Sequence, residues 1–150
     1  MPHLENFTVY SDDLDSGDVI KNDTTIIDNK GSVMTDYTSI FNVFDKVPED
    51  ETRVLVGQAI SNTQYIRKEP QSTRYTLLNY TFFFKNGSIN VEKNTFNWIP
   101  GTIGVATIIY GTGKYLGATG YAQFVNKKYA YDECKGVPLF RDEVTFLFTN

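Results

Sequence analysis

Apolar and polar residues alternate along this chain in short runs bounded by turn-forming residues, the period expected of half-buried β-strands. Phe7 to Tyr10 is a first short run and Thr24 to Ile27 a second, closed by the turn residues Asp28 to Gly31. Thr35 to Phe44 alternates loosely and ends at a polar loop, Asp45 to Glu51. Arg53 to Ile66 sets Val54, Val56, Gln58 and Ile60 against Leu55, Gly57, Ala59 and Ser61. Both faces are mostly small or apolar, so this strand is expected to be covered on both sides, as in a barrel wall under a partner subunit. Arg74 to Lys85 and Ser88 to Trp98 flank Asn86-Gly87, which predicts a hairpin with a type I′ turn. Thr102 to Tyr110, Tyr121 to Val125 and Glu143 to Phe148 supply the remaining strands, with Asn126 to Pro138 as a long polar connection. No window carries helical periodicity, and repeated short strands at hairpin spacing predict an all-β, antiparallel barrel or sandwich. About eight strands is the number whose closed barrel holds packed side chains or one small ligand.

The stretch Gly111-Thr112-Gly113-Lys114-Tyr115-Leu116-Gly117-Ala118-Thr119-Gly120 sharpens that choice. Glycines 111 and 113 allow the chain to reverse tightly between two strands. Gly117 and Gly120 are expected inside the second strand, where glycine serves a bend or a close approach of backbones. Such a pattern suits a corner in a strongly curved barrel.

Composition removes several classes of chemistry. At 150 residues the chain is expected to form one domain, 1–150, around one core. The 11 Phe and 10 Tyr against one Trp fit pleated surfaces. A net charge of −4 with scattered basic residues argues against a nucleic-acid partner. Cys134 is the one cysteine and His3 the one histidine. They leave no internal disulfide, no Cys/His metal cluster and no Ser-His-Asp or Cys-His nucleophile, and neither a metal nor a cofactor is expected. No window reaches the roughly 20 apolar residues of a spanning helix. The start of the chain lacks the basic and apolar regions of a signal peptide, so a cytoplasmic protein is expected, or a secreted one if the chain is a mature form. The acidic run Ser11 to Asp18 does not follow the EF-hand pattern and is expected as a solvated loop, with one carboxylate turned inward at the strand end.

The glycine motif also carries a resemblance. Gly111-Thr112-Gly113-Lys114, with Gly117-Ala118 and Gly120-Tyr121-Ala122, resembles the glycine-rich turn and following strand of plant dirigent proteins. Together with Thr76 to Phe84 and the Asn86-Gly87 hairpin, the same region is similar to plant allene oxide cyclases. Val9-Tyr10 before an acidic segment, Gly57-x-Ala59 and an aromatic last strand extend the likeness from Phe7 to Phe148. It implies an eight-stranded antiparallel calycin-like barrel, trimeric in most plant members and similar to that of small bacterial polyketide spirocyclases. By this likeness Asp13 matches the acidic residue that ends the first dirigent strand, and Tyr65 a tyrosine that ends the Gly-x-Ala strand. The chain departs from the pattern at Thr119, where pathway-directing dirigents tend to carry arginine, and at Ser11, where allene oxide cyclases carry glutamate.

A barrel without histidine, metal or paired thiols can still hold a reactive apolar molecule in one conformation, an effect worth up to about 7–11 kcal/mol in ideal cases. Asp13 is the candidate acid–base group, because desolvation at a barrel mouth raises a carboxyl pKa. Tyr65 and Tyr80 are candidate catalytic hydrogen-bond donors. Gln58, Asn79, Trp98 and Tyr110 are candidate substrate-binding residues; Gln58 and Asn79, polar in apolar strands, either line the cavity or pair with each other. Three functional readings remain open: a cofactor-independent cyclase or isomerase acting on an apolar substrate, a carrier that orients a hydrophobic ligand without chemistry, and a structural barrel filled by Phe and Tyr. A homo-oligomer, trimer or dimer, is expected.

Overall fold

The structure, a computed structural model, describes residues 3–12, 18–26, 33–68, 73–96 and 103–150. Nine strands run through them: β1 (Phe7–Asp12), β2 (Asp18–Ile26), β3 (Val33–Phe44), β4 (Leu55–Lys68), β5 (Thr73–Phe84), β6 (Gly87–Phe96), β7 (Ile103–Gly111), β8 (Gly120–Asp132) and β9 (Val137–Phe148). They form one antiparallel sheet in the order β1-β9-β8-β7-β6-β5-β4-β3-β2. β1 also bridges β3 through Tyr10 and Phe44, which closes the sheet on itself. β1 and β2 follow one another along the same edge of β3, so the barrel has eight strand positions. The expected all-β, eight-stranded antiparallel barrel is therefore the observed fold.

Register decides what faces inward. Along β1 and β9, Phe7 pairs with Phe146, Val9 with Val144 and Ser11 with Asp142. Alternate residues of a strand point to opposite faces, and Val9, Val144 and Phe146 are buried, so this series lines the interior. The same logic places Phe41, Ala59, Phe82 and Ile89 in one interior row across β3 to β6.

One end of the barrel is sealed by aromatic side chains. Phe7 packs edge-on to Phe84 at 5.6 Å and against Phe146 at 5.0 Å, while Tyr115 stacks on Phe148 at 6.1 Å. Burial pushes the Tyr115 phenol up from its usual pKa. Tyr115 reaches this position because the chain after β7 makes a 3-10 turn, Gly113–Tyr115, rather than a tight hairpin. Gly113 enters it at φ 58, where a Cβ would be strained and would meet the Asn86 carbonyl. The Lys114 amide donates to the Asn86 carbonyl at 2.8 Å, and the Ser88 and Thr112 hydroxyls bond at 2.6 Å, tying the two turns together.

Three sequence expectations change. β8 begins at Gly120, so Gly117 lies in the turn rather than inside the strand. Tyr115 needs those extra residues to fold under the barrel. The polar stretch from Asn126 is not a loop: β8 continues to Asp132 and pairs with β9 down to Asp132↔Val137, the backbone ladder overriding the polarity of its side chains. β2 likewise starts at Asp18, earlier than the Thr24 run.

Phe146 is completely buried where the aromatic end meets the core. Phe146→Ala should cost about 3–5 kcal/mol. Urea denaturation followed by tyrosine fluorescence would read this as a lower midpoint with an unchanged slope.

Candidate functional site in the barrel interior

The interior is graded from apolar to polar along the barrel axis. Across β3 to β6, the row Phe41–Ala59–Phe82–Ile89 gives way to Ser39–Ser61–Tyr80–Val91 and then to Tyr37–Thr63–Leu78–Lys93. Across β8, β9 and β1, the row Ala122–Phe146–Phe7 gives way to Phe124–Val144–Val9 and then to Asn126–Asp142–Ser11. Both walls thus become polar in the same direction, away from Tyr115.

Four features mark the polar belt. The buried Ser39 and Ser61 hydroxyls bond to each other at 2.6 Å. Asp142 is 4% exposed, and its Oδ1 accepts a 3.0 Å bond from the Asn126 amide. Ser11 Oγ and Thr76 Oγ1 are buried without a hydrogen-bond partner, an arrangement that costs about 1–3 kcal/mol per group unless a ligand or water satisfies it. The fourth is Lys93, in phase with the fully buried Ile89 and Val91 and paired across the sheet with Leu78. Its Nζ lies only 2.5 Å from where a Cβ on Gly104 would stand, so glycine on β7 makes room for the ammonium. Burial lowers the Lys93 pKa from its usual value, and among the described residues no ion pair offsets the desolvation.

The residues singled out from sequence are distributed unevenly. Tyr80 is inside, 8% exposed, with its ring 5.0 Å from Phe124 and 6.4 Å from Phe41. Tyr65 lies in β4, its backbone paired with Thr35 and Thr76. Asp13 and Trp98 lie outside the described residues. Gln58 is on the outer face, where its amide donates to Asn42 at 3.1 Å. Asn79 is also on the outer face, bonded to Asn90 and Glu92 rather than to Gln58. Tyr110 pairs with Asn90 on that face and is 49% exposed.

Lys93 and Asp142 were not singled out by sequence reasoning, yet each left a signal. Lys93 continues the apolar series Ile89, Val91, and Asp142 precedes Val144, Phe146 and Phe148 by one step of the same alternation. A strand begun at Glu143 leaves Asp142 outside it; the structure begins β9 at Val137.

Among the described residues no three His, Cys, Asp or Glu side chains converge as metal ligands, and no helix is long and apolar enough to cross a membrane. Among the described residues the interior offers Asp142, Lys93 and the Ser11, Ser39, Ser61 and Thr76 hydroxyls as polar groups, beside the aromatic floor.

The fold is that of the dirigent-type barrels. The chain superposes on a pyocyanin demethylase with a TM-score of 0.57 at 16% identity, covering 97% of this chain and 100% of that one. Two pterocarpan synthase dirigent proteins match with TM-scores of 0.51 and 0.53 at 17% and 15% identity; each match covers 97% of this chain, and 88% and 96% of theirs. No protein-family model and no curated protein sequence matches the chain.

The Lys93 environment has a pH signature. A lysine whose folded pKa lies below its unfolded value of about 10.4 destabilises the fold wherever it is charged, and the penalty fades as pH rises from the folded toward the unfolded pKa. Lys93→Met should therefore raise the thermal midpoint at pH 7, and its advantage should shrink toward pH 10.5. A constant difference across that range would contradict the assignment.

Proposed function

We propose that this barrel binds a small, largely apolar molecule between its aromatic floor and its polar belt, and directs a ring-forming or isomerising reaction without a cofactor of its own. The observation that carries this reading is the graded interior: Phe82, Phe124 and Phe146 supply apolar surface, while Asp142 and two unpaired hydroxyls stand above them. A buried carboxylate whose Oδ1 accepts from the Asn126 amide is suited to take or return a proton, and surrounding hydroxyls can stabilise charge as it develops. Orientation against a rigid wall supplies the rest. Proteins of this fold named pterocarpan synthase and pyocyanin demethylase fit a barrel that works on small molecules, an analogy of fold only. Asp13 and Tyr65 remain proposed contributors at the same site, with Tyr80 as a wall. The second reading is a carrier that orients a hydrophobic ligand without bond making, for which the aromatic floor would serve equally.

Incubation with polyene and epoxide substrates, analysed by chiral chromatography, separates the two. Asp142→Asn should slow stereoselective product formation by about 100-fold or more while leaving ligand binding intact. Binding without any product, in both proteins, would support the carrier. Asp13→Asn in parallel shows which carboxylate moves the proton.

The proposed homo-oligomer rests on the outer face of β7 and β8, where Val105, Ile109, Tyr110 and Tyr121 are each about half exposed and Tyr121 pairs with Thr107, between Val105 and Ile109. A second copy is the proposed cover. Ile109→Asp should then shift sedimentation toward the monomer; an unchanged distribution would remove this face from consideration.

A further inference from the structure

We propose that Lys93, with the Thr76 hydroxyl, forms an anion-recognition site inside the barrel that takes the acidic head group of an otherwise apolar ligand, a carboxylate or a chemically similar sulfonate. The inference rests on the reading that the interior takes a ligand, and it adds which end of that ligand is charged and where it goes.

Geometry carries the argument. Lys93 projects from the inner face of β6, and Gly104 of β7 leaves the space its ammonium fills. From β5 the interior residues beside it are Thr76, Leu78 and Tyr80; from β7 they are Gly104, Ala106 and Ile108. None of these is a carboxylate. Asp142 belongs to the other wall, on β9, three strands away in the sheet. A cation with hydrophobic neighbours and no counter-ion among the described residues gains most from an anion brought by a ligand. Thr76 supplies an independent second sign. It is 3% exposed, its Oγ1 has no partner, and it precedes Leu78, the cross-strand partner of Lys93, by one step of the inward alternation. The ammonium, over Gly104 on one side of β6, and the unsatisfied hydroxyl, on β5 at the other side, thus face the same interior, and an oxyanion of the ligand placed between them would accept from both. Below them the apolar rows are suited to the hydrocarbon part of the same molecule.

A matched pair of fluorescent probes tests this. 1-Anilinonaphthalene-8-sulfonate and N-phenyl-1-naphthylamine share one aromatic skeleton and differ by the sulfonate. The wild-type protein should bind the sulfonate about tenfold more tightly, as one charge-assisted hydrogen bond would give. Lys93→Met should abolish that preference and leave the neutral probe unchanged, and Lys93→Arg should retain much of it. Gly104→Ala, which places a methyl against the ammonium, should weaken the sulfonate alone, with thermal melts confirming that each variant is folded. Equal sulfonate affinity in wild type and Lys93→Met would overturn the assignment while leaving ligand binding standing. If neither probe binds wild type, both the assignment and the ligand-binding reading fail.

Discussion

Closure of the barrel by β1 is the constraint on which the other features depend. This six-residue strand pairs with β9 over its whole length and meets β3 through Tyr10 and Phe44. Without it, β9 and the end of β3 beyond Ile40 would present unpaired edges, and the two polar walls would belong to an open sheet accessible to water. Closure places Val9 and Ser11 over the interior and forces the sheet to curve. That curvature converts alternate positions on distant strands into rows around one axis. Outside the barrel, Arg53 bonds Asp12 at 3.1 Å and Arg141 bonds Glu49 at 2.9 Å, so the connection between β3 and β4 is strapped across the closing strand. These half-exposed pairs orient the strap and contribute little stability.

The axial gradient then separates two tasks. The aromatic end, with Phe7, Phe84, Tyr115, Phe146 and Phe148 in mutual contact, supplies the apolar burial that dominates folding. The opposite half carries buried hydroxyls, Asp142 and Lys93, groups that add no burial energy and are costly when unsatisfied. Their shared direction along both walls is the physical reason for placing the proposed site in that half.

Much of this was legible in the chain. Alternation around Asn86-Gly87 defined the β5–β6 hairpin, and the glycine motif marked a barrel corner whose likeness to dirigent proteins agreed with the observed fold. The site was less legible. Gln58, Asn79 and Tyr110 stand out as polar or aromatic residues within apolar strands, but they lie on the convex face, where Gln58 and Asn79 bond to neighbouring side chains and Tyr110 is half exposed. Lys93 and Asp142 escape local reading, because a charged residue at the end of an apolar series reads as the strand leaving the core. Only the neighbouring strands show that the core continues past them.

By itself the sequence determined the period of the elements and the all-β class, because these depend on side chains one or two residues apart and on local backbone preference. Its single cysteine also leaves no internal disulfide. The tertiary structure decided which of each strand's two faces became the interior, that Gly104 stands opposite Lys93, and that Ser11, Asn126 and Asp142 share one row. Those relations join residues as far apart as 11 and 142, and they are fixed by register and barrel closure, which no local pattern encodes.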